Sequence, residues 1–491
     1  MIETALGDLL VYGVNTGLIE AGDVAYVRNR VLEVLRLSDY DLAAEGTGAE
    51  ASIDALLAPL LDDAASRGLI EPDTATQRDL WDTAIMGCFV QRPSWVQHRF
   101  WDDYRTSPEL ATQRFHSDAV ASNYIRVTRT DRNVTWQQPS KYGVLDITIN
   151  LSKPEKDPRD IIAAAKTSAE ASYPACLLCR ENEGYAGRAD HPARQNLRLV
   201  DLELTAERWF LQYSPYRYYN EHCIVLSEEH RPMVISPATF RRLADFTAVL
   251  PHYLAGSNAD LPIVGGSILS HDHYQGGNYE FPMDRAQTLW SQDRDGVTVS
   301  VLNWPLAVIR LSGEDEPVLA LADRVLAAWR DYSDELRGVL AYSAVTPHNT
   351  ITPIARRVDG LLRLDLVLRN NRTTEEHPDG IYHPHVEIHP IKKENIGLIE
   401  VMGLAVLPDR LQTELQLVAH AMLSGEELPE SAAAHAPMLE LLRAQGPASS
   451  ADEALNRARD AAGSFFVRGL EHCGVFGDDV VAGCREFLQT V

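Results

Sequence analysis

A chain of 491 residues lies beyond the ~250–300 at which one hydrophobic core stops growing, so two or more packed units are expected. Its 45% hydrophobic and 23% charged residues are ordinary for a soluble globular protein. The formal net charge of −25 argues against a nucleic-acid binder, because no basic field is present to displace counterions from phosphates.

The amino terminus, MIETALGDLLVYG, carries acids where a secretory signal needs a basic flank. No apolar run of ~18 residues occurs, so no bilayer span is expected and a cytoplasmic location is the reading. The six cysteines are Cys88, Cys176, Cys179, Cys223, Cys473 and Cys484, too sparse for a disulfide framework.

Residues 1–122 read as a helical region. Apolar positions recur at helical spacing in DLLVYGVNTGLIE, DVAYVRNRVLEVLRL and ASIDALLAPLLDDAASRGLI. Near 124 the period shortens. YIRVTRT, GVLDITINLS, LRLVDLEL, RWFLQYS and HCIVLS are β-branched and partly alternating, as strands are. Helices are expected near 158–170 and over ATFRRLADFTAVLPHYL, which follows Pro237. A second strand-rich set begins after 296: VTVSVLNW, LAVIRLSG, LLRLDLVLRN and HPHVEIHP, with a helix near 316–333. From 409 to 491 the chain turns helical again.

Two motifs carry chemistry. In PACLLCRENEG, Cys176 and Cys179 form the C-x-x-C chelate of structural zinc. Two further ligands would close a tetrahedron, and His230 and His271 suit that role. Redox activity and accident are the alternatives; the first lacks a βαβ context. The second motif is SILSHDHYQGG. In a strand, His271, His273 and Gln275 would share one face. A metal on His271 would hold His273 in place, and a partner on one ring nitrogen would leave the other as a nucleophile. Gln275 offers an N–H donor to an anionic oxygen, and the flanking glycines let phosphate approach the backbone. The plain alternative is three polar residues on a solvated strand face. No P-loop or G-x-G-x-x-G is present. His271-Asp-His273-Tyr-Gln275 is echoed by His383-Pro-His385-Val-Glu387, which suggests a duplicated α+β unit.

H-x-H-x-Q after a glycine-rich segment, with an upstream C-x-x-C, resembles the histidine-triad superfamily. Within it, the chain resembles the galactose-1-phosphate uridylyltransferase family, closest to the longer bacterial type with an extra N-terminal helical region. The matching blocks are YGVLDITINLSKPEKDPRDI, PACLLCRENEGYAGR, QYSPYRYYNEHCIVLSEEHRPM, GSNADLPIVGGSILSHDHYQGG and HPHVEIHPIKKENIGLIEVMGLAVLP.

The resemblance implies an α+β fold in which two histidine-triad-like halves share an antiparallel sheet. The first half, 123–292, would hold the nucleophile and zinc site; the second, 293–408, would be its degenerate copy; 409–491 would be a helical C-terminus. It implies ping-pong transfer of UMP from UDP-glucose to galactose 1-phosphate through a uridylyl group on His273, with Gln275 on the phosphoryl group. The zinc ligands carry over onto Cys176, Cys179, His230 and His271. Leu178 matches a wall of the uracil pocket, and Asn258 or Asp260 a ribose contact. Gly266, Ser267 and Ser270 line the substrate loop, and Lys392, Lys393 and Glu400 lie near hexose contacts. A second structural metal, such as iron, would draw on His383, His385 and Glu387 with His348. Asp272 replaces the proline of the short-type H-P-H and is expected to point away from the histidine face. The partners implied are the two small-molecule substrates and a second copy in a homodimer, with no nucleic acid or membrane.

Three rivals remain: a histidine-triad nucleotide phosphorylase or hydrolase, uridylyl transfer to N-acetylhexosamine 1-phosphates, and a zinc-stabilised binding protein without turnover. Gln275 counts against hydrolysis, which uses a third histidine at that position to protonate the leaving group.

Overall fold

A computed structural model of the chain describes residues 2–43, 46–48, 51–152 and 173–491. The helix expected near 158–170 lies outside them. The chain divides into two compact units, Met1–Arg132 with Ser152–Arg231, and Asn133–Leu151 with Pro232–Val491.

In the first unit, helices run over Ile2–Asn15, Val24–Val34, Ile53–Ser66, Ala75–Gly87, Pro93–Tyr104 and Pro108–Ala121. Their starts are chemically marked. Ser52, Thr74 and Ser107 accept the backbone N–H of Ala55, Gln77 and Leu110, and prolines open the last two helices. Leu6, Leu9, Leu10, Val31, Leu57 and Leu60 build one apolar core among them. YIRVTRT, expected as a strand, contains the short helix Val127–Thr130 instead. Charge pairing outweighs its β-branched composition. Arg126 Nη1 donates to buried Asp82 at 2.7 Å, and Arg129 Nη1 to Asp79 at 2.8 Å, tying the segment to helix Ala75–Gly87. Strands Val200–Leu204, Glu207–Tyr213 and Cys223–Ser227 then form an antiparallel meander, as their alternation predicts.

The second unit is built on a larger antiparallel sheet. Its strands lie in the order His273–Gly277, Leu254–Gly256, Asn349–Val358, Leu361–Asn370, Val308–Gly313, Val297–Leu302 and Thr288–Arg294. Helices Pro237–Val249 and Asp315–Asp331 pack on strand Asn349–Val358. That strand escapes a sequence reading because Pro353 interrupts it. Pro353 is tolerated because the neighbour on one side is only three residues long, and Ser257 N–H instead donates to its carbonyl at 3.0 Å. A smaller sheet pairs Val134–Ser140 with Gly143–Ile149, and the latter with Leu404–Leu407 in parallel. HPHVEIHP forms no strand: Val386–Ile388 is a 3₁₀ turn, and Pro384 and Pro390 supply no ladder donors. Helices Arg410–Ser424, Ala436–Ala444, Ala451–His472 and Val480–Leu488 make up the C-terminal region. Among the described residues, no helix is long and apolar enough to cross a membrane. The fold is of the α+β class.

Candidate metal centre and nucleophile strand

In the first unit, the C-x-x-C segment is a tight turn in which Cys179 N–H donates to Cys176 O at 3.3 Å. The two Sγ atoms stand 3.4 Å apart, and His230 Nδ1 is 3.1 Å from Cys179 Sγ. Leu178 is buried between the thiols in sequence, and its N–H points at Cys176 Sγ at 3.3 Å. Asn182 clamps the turn from behind. Its Nδ2 donates to both Cys176 O and Cys179 O at 2.8 Å, and its Oδ1 lies 2.6 Å from His191 Nε2. Burial pushes His191 below the usual histidine range, so the neutral ring donates to that oxygen. Neither Asn182 nor His191 stands out in the sequence; an amide three residues past the second cysteine was the available signal.

Burial, followed by the Cys176 thiol beside it, pushes the Cys179 thiol up to about 12. Two thiolates at that separation coexist only when a cation neutralises them. Two sulfurs and one imidazole fit a soft divalent ion.

In the second unit, the strand begins at His273, so His271 sits on the bend before it rather than on the strand expected. The shared face therefore runs from His273 to Gln275, not from His271. The ring of His273 is buried, and Nδ1 is 2.8 Å from His271 O. A carbonyl only accepts, so Nδ1 carries the proton and Nε2 keeps its lone pair. Among the described residues Nε2 has no hydrogen-bond partner. Burial lowers the His273 pKa to about 4, which keeps the ring neutral near pH 7. Asp272, in the place of the short-type proline, is buried and faces Arg242 at 3.7 Å, from helix Pro237–Val249.

The glycine loop is fastened to the segment 395–400. Asn395 Nδ2 donates to Gly265 O at 3.1 Å, and Asn258 Oδ1 accepts Leu398 N–H at 2.9 Å. A Cβ on Gly266 would meet Asn258 Nδ2 at 2.3 Å, so a side chain there would have to displace the Asn258 amide. Glu400 accepts Gly397 N–H at 3.2 Å and pairs with buried Lys392 at 3.0 Å. Asn258, Gly266 and Glu400 are thus brought together. Asp260 is committed elsewhere: it accepts Ile235 N–H at 2.9 Å and the Thr350 hydroxyl at 2.5 Å. Ser267, Ser270 and Lys393 are exposed.

The second H-x-H gathers a different set. His385, Glu387 and His472 have ligand atoms within 4.8 Å of one another, and neither His383 nor His348 belongs to the group. The His385 and His472 rings stack at 4.1 Å. His385 N–H donates to His472 Nδ1 at 3.2 Å, so the neutral His472 ring carries its proton on Nε2, which faces Glu387 Oε1 at 3.7 Å. That tautomer leaves no lone pair toward the carboxylate, and the set fits a hydrogen-bonded histidine stack better than a metal.

The family described as galactose-1-phosphate uridyl transferase, N-terminal domain, matches residues 17–232, and its C-terminal domain matches 247–437. A Clostridium acetobutylicum protein named galactose-1-phosphate uridylyltransferase is 52% identical over 86% of this chain and 85% of its own. Proteins of the same name from Halalkalibacterium halodurans and Bacillus subtilis are 50% and 49% identical. They cover 98% and 96% of this chain, and 97% and 94% of their own. The protein is an enzyme of the nucleotidyltransferase class. The chain belongs to the galactose-1-phosphate uridyl transferase family.

Proposed function

We propose that the chain moves UMP from UDP-glucose to galactose 1-phosphate in two displacements on His273. The observation that carries this reading is the Nδ1–H of His273 held by His271 O, which points the free electron pair of the ring to Nε2. In the first displacement Nε2 attacks the α-phosphorus. A P–N bond forms, the bond to the β-phosphate oxygen breaks, and glucose 1-phosphate leaves. In the second, a phosphate oxygen of galactose 1-phosphate attacks the same phosphorus and the P–N bond breaks, giving UDP-galactose. The Gln275 amide donates to the phosphoryl oxygens as their charge grows.

Cys176, Cys179 and His230 would hold zinc, with His271 as the fourth ligand. The ion would neutralise the thiolates and hold His271 still, and with it the carbonyl that orients His273. Leu178 would wall the uracil pocket, and Asn258 rather than the committed Asp260 would serve the ribose. Gly266, Ser267 and Ser270 would border the phosphates, and Lys393 and Glu400 the hexose. Work in the cytoplasm as a homodimer belongs to the same reading.

The test is incubation with UDP-glucose labelled in its uridylyl phosphate, without acceptor. Label stays on the wild-type protein, labile to acid and stable to base, and is absent from His273→Ala. Free UMP in place of bound label would defeat the reading. A panel of sugar 1-phosphates then separates galactose from N-acetylhexosamine acceptors.

A further inference from the structure

The N-terminal helices carry a feature that uridylyl transfer leaves unused. In the first unit an open groove of about 600 Å³ runs past Tyr26, Arg30, Arg92, Trp95, Gln195 and Arg198. That volume suits a small organic ligand. None of these residues belongs to the candidate metal centre.

Three properties of its lining point the same way. Tyr26 and Trp95 are 64% and 41% exposed, unusual for large rings in one groove. The Arg99 guanidinium covers one face of the Trp95 ring at 4.6 Å, leaving the other for a flat partner. Next, the charge is inverted relative to the chain. In a protein of net charge −25, three arginines line the groove against one carboxylate, Asp23. Arg30 is answered by Glu33. Arg92 has no carboxylate partner among the described residues, while Arg198 has the Glu183 carboxylate as its charged neighbour and donates to carbonyls, including Gln91 O at 2.6 Å and Gln195 O at 2.9 Å. Finally, Gln195 Oε1 is buried with no hydrogen-bond partner among the described residues, an acceptor left for a hydroxyl or ring N–H.

A flat ring, a donor group and negative charge in one small molecule describe a nucleotide. We infer that this groove is a second nucleotide site, with the base against Trp95 and Tyr26, a donor on Gln195 Oε1, and phosphates toward Arg92 and Arg198.

The test is calorimetric titration of UDP and of ADP into the wild-type enzyme and the Trp95→Ala, Tyr26→Ala and Arg92→Glu variants. These side chains lie on the surface, and steady-state KM for UDP-glucose should stay within about twofold of wild type, because none is placed at the uridylyl-transfer site. The wild type should bind one nucleotide more per chain than the variants, or bind it about tenfold or more tightly, the loss expected for one stacked base. Equal stoichiometry and affinity in all four proteins would overturn the inference. So would a change in sedimentation of the variants with no change in nucleotide binding, which would make the groove a seat for a second copy.

Discussion

Two stretches of the second unit share one residue pattern and use it differently. His271-Asp-His273-Tyr-Gln275 leads into a strand paired with Leu254–Gly256. His383-Pro-His385-Val-Glu387 ends in a 3₁₀ turn. In the first, a carbonyl takes one nitrogen of His273 and the other is left open. In the second, His383 Nδ1 meets Pro384 O at 3.1 Å while the Asn395 side chain also bonds the ring. His385 Nε2 meets Ile381 O at 3.0 Å, and its ring is stacked between His377 and His472. Imidazoles at alternate positions are therefore not a site by themselves. The backbone decides which nitrogen is spent and which remains.

The largest effect breaks the comparison outright. His273→Ala should lower turnover roughly ten-thousand-fold or more, as loss of a nucleophile does. His385→Ala should stay within about threefold of wild type, since it holds no reacting group. Steady-state assay of both variants decides it, and comparable losses would erase the distinction. Gln275→Ala should cost about a hundred- to a thousand-fold in kcat, the range for removing one donor from a developing oxyanion. Glu387→Ala, at the matching place of the echo, should not.

Metal content sharpens the contrast. Cys179→Ser should lose the bound ion, and Asn182→Ala should weaken it ten- to a hundred-fold, the usual range for an outer-shell partner. His472→Gln should leave the ion count per chain unchanged, by mass spectrometry of metals. The smallest effect is electrostatic. Burial, then the neighbouring His385, lowers the His472 pKa to about 4, below its unfolded value. The unfolded chain then binds the extra proton first, so this residue withdraws stability as pH falls from about 6.5 toward 4. The difference in melting temperature between wild type and His472→Gln should shift against the wild type across that window and stay flat above it.

Much of this was legible in the residues. The C-x-x-C spacing marked the thiol pair, and the helical C-terminus followed from its periodicity. The alternating strands from 200 to 227 and from 297 to 313 fell where expected. What stayed hidden depends on partners distant in sequence. Arg126 and Arg129 turn YIRVTRT into a helix only because Asp82 and Asp79 lie across from them. Pro353 disguises a central strand because a three-residue neighbour cannot be seen in advance. The bend at His271 hides because strand periodicity is blind to where a strand starts. Asn182 and His191 gave no motif, since Asn182 holds backbone carbonyls and His191 only fixes the Asn182 amide.

The contact between Gly266 and the Asn258 amide reaches beyond the glycine loop. One added methyl would drive the amide off Leu398 N–H and reach the turn that ends at Glu400, three segments disturbed by a single carbon. Any side chain at position 266 has first to evict that amide, so the smallness of one residue keeps the glycine loop and the 395–400 segment fastened together.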